Sequence, residues 1–499
     1  MPQGGGAWAW VRDFPSCTRF QLRESGAEPM AEVVVLGGGV CGLATALLLA
    51  RDGHEVSVLE RDHEPVPDSV DDAWSSWARG GVVQFRQPHF LQPRVRQVLD
   101  ADLPDVRDAL IAAGAVRSDP LTRMPPTITD RAPRAGDDRL ASVTARRPTT
   151  EWVFAGVAEN EPRVTLRRGV EAVGLTTRLL DGIPHVTGVR TSSGEELQAD
   201  LVVDATGRSS RLPRLLRDAG AAPLYEEAED SGFIYYTRYF RSVDGSRPEP
   251  RTPRLLTAVG SFSILTLPSD RDTWSVTLFI SSGDGPLKRL RKVDSWTATV
   301  AACPLHAHWL DGEPISDVLP MGGVLDRYRR LAVDGRPVAT GLALVADAWA
   351  CTNPSLARGL ALGLAHAARL RDLARSHLDD PREFADAWDA LTEAEFTPWY
   401  RATVAVDRGR VAEMRALRDG DEPPKLSDAT AALRARFPLA ASRDADLYRA
   451  YMEIVGCLTL PDDVFARNGV ADRILELTEP GEREQPPGPS RPELLELLG

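Results

Sequence analysis

The stretch Val33-Val34-Val35-Leu36-Gly37-Gly38-Gly39-Val40-Cys41-Gly42 decides the fold. Val33 to Leu36 is a short β-branched run, the pattern of a strand buried on both faces in a parallel sheet. Leu43 to Arg51 reads as a helix rich in Ala and Leu, and Gly53 is placed to end it. Glu55 to Leu59 reads as a second strand that stops at Glu60. The order is strand, glycine turn, helix, strand, acid, and it opens at Ala31. Gly37 permits the tight turn, Gly39 lets the backbone approach a pyrophosphate, and Gly42 allows the helix to pack closely on the strand. The helix start offers unpaired amide hydrogens and a positive dipole end to phosphates. Glu60 is placed to accept hydrogen bonds from an adenosine ribose. A lone G-x-G-x-x-G is weak, but with both strands, the helix and the acid in register it specifies a dinucleotide site.

That unit alone suits NAD as well as FAD, and two later segments favour FAD. Leu201 to Arg208 reads as a buried strand ending in Asp204, followed by Gly207. Leu344 to Ala348 reads as a third strand, followed by Asn353-Pro354 and a small-residue helix from about 356 to 370. Ligands of such sheets collect at the carboxyl ends of the strands. Asp347 stands at such an end, where its carboxylate could hold a hydroxyl of the cofactor's sugar chain.

Together the three segments resemble the flavoprotein family that contains p-hydroxybenzoate hydroxylase, squalene epoxidase, bacterial polyether epoxidases and geranylgeranyl reductases. The resemblance runs from Ala31 to about Leu370. The family's second motif, of the form D-A-T-G-R, matches Asp204 to Ser209, and its third matches Ala346 to Gly359. The stretch from Arg79 through Gln84 to His89 resembles the R-x-G-V-x-Q-x-x-x-x-H loop of the epoxidase-like members. By the same resemblance Arg147 reaches the FAD. The implied cofactor-binding set is Gly37, Gly39, Gly42, Glu60, Arg79, Arg147, Asp204, Gly207, Asp347, Pro354 and Gly359, with Gln84 and His89 as candidates beside the flavin. The sequence departs from the pattern at Ala346 and Ala357, where glycine is usual. Alanine lacks glycine's easy access to positive φ, and either methyl group would crowd the cofactor.

Between the second and third motifs the pattern changes. Phe233 to Phe240, Leu255 to Leu267 and Trp274 to Ile280 are β-rich, and the last two are joined by the turn sequence PSDRD as an antiparallel hairpin. Similar enzymes use such a sheet to roof the substrate. Tyr235, Tyr239 and Phe262 are the residues expected to line an apolar pocket, although alternation leaves open which face of each strand looks inward. Residues 383–470 read as helices, with Phe384, Trp388, Leu391, Phe396 and Trp399 at apolar positions.

The expected class is α/β: a Rossmann-type FAD-binding domain, an inserted antiparallel β-sheet substrate domain and a helical C-terminal region. The expected bounds are a disordered extension over 1–29, the FAD domain over 30–224 and 331–380, the sheet over 225–330, helices over 381–475 and a flexible Pro-rich tail over 476–499. Met30, directly before the first strand, reads as the translational start. A short amphipathic patch, LLELLG, closes the chain.

The 499 residues suffice for two or three cores, and a net charge of −13 argues against a broad grip on nucleic acid. The longest apolar run, around Val40 to Ala50, is too short to span a bilayer. Cys17, Cys41, Cys303, Cys351 and Cys457 are scattered, the usage of a reducing cytoplasm. His306-Ala307-His308 lacks partners at metal-ligand spacing and would point its rings to opposite sides of a strand, so no metal is expected.

The family resemblance implies a monooxygenase: NADPH or NADH reduces FAD, O2 adds at flavin C4a as a hydroperoxide, and an apolar small molecule, a polyketide or isoprenoid, is epoxidised or hydroxylated. A flavin-dependent reductase of a prenyl chain would share every cofactor motif. A flavin-loaded binding protein without activity is the alternative from outside enzymology.

Overall fold

The computed structural model describes residues 30–422, 429–482 and 486–499. The expected N-terminal extension lies outside the described residues.

Glu32–Leu36 is the central strand of a five-stranded parallel sheet. From one edge the strands run Leu342–Leu344, Leu201–Asp204, Glu32–Leu36, Glu55–Glu60 and Val164–Arg168. All four pairings are parallel. The chain leaves the first strand toward one edge and returns on its other side with Leu201–Asp204. The switch point of the sheet therefore lies between these two strands, beside Gly37, where doubly wound sheets place ligands. The helix Val40–Arg51 is buried along nearly its whole length. It can lie this close because a Cβ on Gly42 would sit 1.9 Å from the Gly37 carbonyl oxygen. Gly53, at φ +102°, turns the chain out of the helix as its position in the sequence suggests.

Three features depart from the linear reading. The return from Val164–Arg168 to Leu201–Asp204 is an antiparallel meander of Ala172–Leu180, Ile183–Thr191 and Glu196–Gln198. The third motif does not continue its strand: the strand is Leu342–Leu344, and Ala346–Ala348 is a 3-10 turn. Ala346 has φ +52°, which breaks the extended run and carries Asp347 beyond the sheet edge. The following helix is Gly359–His377 and starts later than expected, because Pro354–Leu356 forms its own short turn.

The inserted sheet has six strands, five in its main path and Leu319–Gly322 paired beside it, with Phe233–Arg241 and Thr273–Ser281 at its centre. The PSDRD hairpin forms, with Pro268 opposite Trp274. The run Leu255 to Leu267 is not one strand but two, Leu256–Val259 and Phe262–Pro268, folded back at Gly260-Ser261. One face of the sheet packs Tyr236, Phe240, Phe262, Ile264 and Leu278 against Trp296 of the helix Val293–Ala301 in a core of its own. The other face, with Phe233, Tyr235 and Phe279, turns toward the parallel sheet and meets Val411 and Met414 of the helix Thr397–Asp419. Asp270, in the hairpin turn, joins the two units. It accepts from the Arg146 backbone amide at 2.7 Å and from its guanidinium at 2.7 Å, which anchors the start of the helix Arg147–Glu159.

The end of the chain is also ordered differently. Arg491–Leu498, expected within the mobile tail, is a helix with a Ser490/Glu493 capping box, and Leu494 and Leu498 are buried in the core of the inserted sheet. Arg491 pairs with the buried Asp284 at 2.7 Å. His306 and His308 flank and enter a 3-10 turn, Ala307–Leu310, rather than a strand. Among the described residues no group of His, Cys, Asp or Glu could hold a metal ion, and no helix is long and apolar enough to cross a membrane.

Candidate active site

One cleft runs from the glycine turn to the inserted sheet. Gly37, Gly39 and Cys41 line it at the glycine turn, with Glu60 and Arg61, Ala205 to Arg208, and Asp347, Pro354, Ala357 and Gly359. Tyr235, Leu265, Met321 and Val324 contribute an apolar surface at the sheet side.

Three acids follow three strands of the parallel sheet, and each does something different. Glu60 Oε2 accepts from the Gly38 amide at 2.9 Å and Oε1 from the Asp62 amide at 2.9 Å, so the carboxylate is fixed at the cleft's end. Asp204 spends its oxygens locally, accepting from the Thr206 amide at 2.8 Å and from the Ser210 hydroxyl at 2.5 Å. It shapes the turn that forms the wall. Asp347 lies between two glycines: a Cβ on Gly359 would sit 3.7 Å from its Oδ1, and one on Gly207 4.0 Å from its Cβ. Burial pushes its carboxyl up, and Arg147 and Arg208 oppose that shift.

Arg147 reaches into the cleft with its guanidinium fixed by Glu151 at 2.7 Å. His89 lies against it, Nε2 to Nη1 3.4 Å. The His89 Nδ1–H donates to the Gln87 carbonyl at 3.0 Å, because a carbonyl can only accept. Burial, helped by the Arg147 charge, pushes the imidazole down to about 3. His89 is therefore neutral, with the Nε2 lone pair facing Arg147. Cys41 lines the cleft, where desolvation, with the Asp347 carboxylate, pushes its thiol up to about 12.

The cleft fits FAD in its own geometry. A Cβ on Gly39 would meet nothing nearer than the Arg147 guanidinium at 3.9 Å, so an open channel fronts the glycine turn. The helix Val40–Arg51 points its N-terminus at that channel, where a pyrophosphate is favoured. Glu60 and Asp347 put carboxylates at separate points along the same cleft.

Residues 32–89 match the family model for FAD dependent oxidoreductases. The probable FAD-dependent monooxygenase PqsL of Pseudomonas aeruginosa is similar in structure, with a TM-score of 0.57, 18% identity, and 78% of this chain and 97% of that chain covered. The anhydrotetracycline hydroxylase OxyS of Streptomyces rimosus aligns with a TM-score of 0.53 and 18% identity over 86% of this chain and 76% of that one. The chain has the fold of the FAD-dependent oxidoreductases. In sequence it is 25% identical over 356 residues to Protein Rv3254 of Mycobacterium tuberculosis, covering 69% of this chain and 73% of that protein.

Of the residues expected to bind FAD, Gly37, Gly39, Glu60, Arg147, Asp204, Gly207, Asp347, Pro354 and Gly359 line the cleft, as do Gln84 and His89. Gly42 does not line it and serves helix packing instead. Arg79 does not line it either. Its side chain is fully buried behind Glu60, paired with Glu151 at 2.6 Å, Glu60 at 2.9 Å and Asp62 at 3.2 Å. It supports the wall rather than touching the cleft. Two of the three aromatics expected at the pocket also lie away from it. Phe262 belongs to the core on the far face of the sheet, and Tyr239 packs on Trp74 at 4.8 Å between ring centroids. Only Tyr235 reaches the cleft, where Leu265, Met321 and Val324 take the places expected for the other two. Gln87, which lines the cleft and accepts from Thr237 at 3.1 Å, was not singled out, although it lies inside the quoted loop.

Ala346 and Ala357 both adopt φ +52°, the left-handed conformation that glycine takes at no steric cost. The Ala346 methyl is accommodated by Gly363, where an added Cβ would sit 2.9 Å from it and 2.5 Å from the Cys41 sulfur. Ala357, like Ala346, lines the cleft. Ala357→Gly is therefore expected to stabilise the protein by roughly 0.5–1 kcal/mol, since relief of the left-handed strain outweighs the added chain entropy. Ala346→Gly gives up its packing and should gain less. Urea denaturation midpoints of the two variants check this, and a lower midpoint for Ala357→Gly would contradict it.

Proposed function

We propose that the protein is an FAD-dependent monooxygenase that takes electrons from NADPH or NADH and transfers one oxygen atom of O2 to an apolar small molecule by epoxidation or hydroxylation. The observation that carries this reading is the continuity of the cleft. The dinucleotide site and the apolar sheet surface share one space, so a substrate on the sheet side lies against whatever part of the cofactor extends past Asp347. Bound FAD would supply the electron transfer and the oxygen chemistry.

The chain's own residues position and exclude. Gly39 and the helix start would hold the pyrophosphate, Glu60 the adenosine ribose, and Asp347 a hydroxyl of the linking chain. Arg147, fixed by Glu151, and neutral His89 hold a defined hydrogen-bonding edge at the middle of the cleft. Tyr235, Leu265, Met321 and Val324 present an apolar surface with a single hydroxyl, which favours an uncharged substrate and keeps water from the reacting atoms. PqsL and OxyS, one a probable monooxygenase and the other a hydroxylase, lend support to the reaction class.

The purified protein is expected to be yellow, to bleach with NADPH or NADH, and to regain colour in air. With a panel of polyketide and isoprenoid alkenes and aromatics it should consume O2 and leave one 18O atom from labelled gas in the product. Product formed without O2 would instead mark a reductase. A flavin that no nicotinamide reduces, with or without the panel, would mark a binding protein.

A further inference from the structure

Behind Tyr235 lies a polar cluster that cofactor binding does not use. The Tyr235 hydroxyl donates to Asn353 Oδ1 at 2.6 Å. Two residues on, the Ser355 hydroxyl donates to Asp407 Oδ1 at 2.5 Å. Asp407 comes from the helix Thr397–Asp419 and is 3% exposed. Its Oδ2 and the Asn353 Nδ2 are both buried with no hydrogen-bond partner. Asp326, on the strand Leu325–Arg330 and 2% exposed, accepts from the Asn353 backbone amide at 2.7 Å.

A buried carboxylate with a purely structural role is normally paired with a cation. Asp407 is not. The guanidinium of Arg358 points instead to the Thr403 hydroxyl at 2.9 Å and the Ile454 carbonyl at 3.5 Å. The charged and titratable groups that face Asp407 are Asp326 on the neighbouring strand, Arg358 beyond the third motif and Tyr235 on the inserted sheet. Asp326 in turn senses Glu229, Asp230 and Arg408, and the Arg408–Glu229 pair lies at the surface. Burial pushes Asp407 up to about 7 and Asp326 up to about 6, while Asn353 and Ser355 favour the ionised Asp407. Burial also holds the Tyr235 hydroxyl protonated.

We propose that Asp407 is a positioning residue that, through Asn353, decides whether the Tyr235 hydroxyl is tied to the cleft wall or offered to the occupant of the cleft. When Asp407 is ionised, it draws the Asn353 amide hydrogens, and the amide oxygen stays turned to Tyr235. The tyrosine then donates inward and shows the cleft only acceptor lone pairs. When Asp407 takes up one proton, its O–H competes for the amide oxygen and releases the Tyr235 O–H as a donor. The ligand class favoured by that state carries an acceptor oxygen, such as a carbonyl or phenolate, on an apolar frame. One proton moves onto one carboxylate, and no bond of the occupant breaks. The switch deepens the proposed monooxygenase function but needs no turnover, so its failure and the failure of that function are separable.

The test is a pH-difference infrared spectrum of the holoprotein, read well below and well above a midpoint near 7. The wild type should lose a protonated-carboxyl C=O band as pH rises and show a tyrosine C–O shift with the same midpoint. Asp407→Asn should lose both signals, Tyr235→Phe only the tyrosine signal, and Asn353→Ala should keep the carboxyl band but lose the tyrosine response. Should Asp407→Asn fail to fold, Ser355→Ala serves in its place: it removes one donor to the carboxylate and should move both midpoints upward together. A tyrosine shift that survives Asp407→Asn, or that keeps its midpoint in Ser355→Ala, overturns the proposal. So does a wild type in which the carboxyl band or the tyrosine does not respond to pH.

Discussion

Gly39→Val should yield a folded, colourless protein. The backbone at Gly39 is ordinary, with φ −82° and ψ 175°, so valine fits without strain. The added Cβ meets nothing closer than the Arg147 guanidinium at 3.9 Å, so the apoprotein has no reason to unfold. That same open space is the proposed approach of the pyrophosphate, and a branched side chain would fill it. FAD content should fall below detection while the urea midpoint of the apoprotein stays within about 0.5 kcal/mol of wild type, the range of a change that disturbs no packed feature. Gly42→Val is the contrast. Its Cβ would lie 1.9 Å from the Gly37 carbonyl oxygen, so it should abolish folding itself. Gly39→Val protein that purifies with a full complement of FAD would show that the pyrophosphate lies elsewhere.

The glycine turn was legible because each of its positions answers a local demand of the backbone. Gly37 has φ +101°, Gly42 has no room for a Cβ, and Glu60 ends a strand whose β-branched pattern fixes its direction. The departures at Ala346 and Ala357 were legible for the same reason, since alanine at a glycine position announces a left-handed residue. What failed needed a direction rather than a conformation. Loop residues 79–89 were expected at the cofactor, and Gln84 and His89 reach the cleft, but a loop does not reveal that Arg79 turns backward into three carboxylates. Phe262 packs away from the cleft because the tight turn at Gly260-Ser261 splits the run into two strands and sets the face of the second. The closing helix did carry a signal, the Ser490-x-x-Glu493 capping box before the LLELLG patch, and the Pro-rich stretch ahead of it hid that signal. Asp407 had none: one acid in a long helix looks like any solvated charge until the packing around it is known.

Arg79 carries the other large effect, and it separates support from contact. Its side chain is fully buried, and its three carboxylate partners include Glu151, which is itself fully buried. The attraction of these partners, Glu151 first, outweighs the burial that would discharge the guanidinium. Arg79→Met keeps the length and the apolar stem and deletes the charge. Glu151 retains Arg147 at 2.7 Å, but Glu60 loses its one cation and Glu151 one of two. Leaving buried carboxylates so exposed to one another costs about 3–5 kcal/mol. The apoprotein of Arg79→Met should therefore unfold at far lower urea than wild type. Arg147→Met should do the reverse. Its guanidinium opens on the cleft and Arg79 still neutralises Glu151, so stability should fall less and FAD affinity more. The pair of measurements, urea unfolding of both apoproteins and FAD titration of whatever folds, fixes the assignment. If Arg79→Met holds its stability and loses only the flavin, then Arg79 touches the cofactor after all.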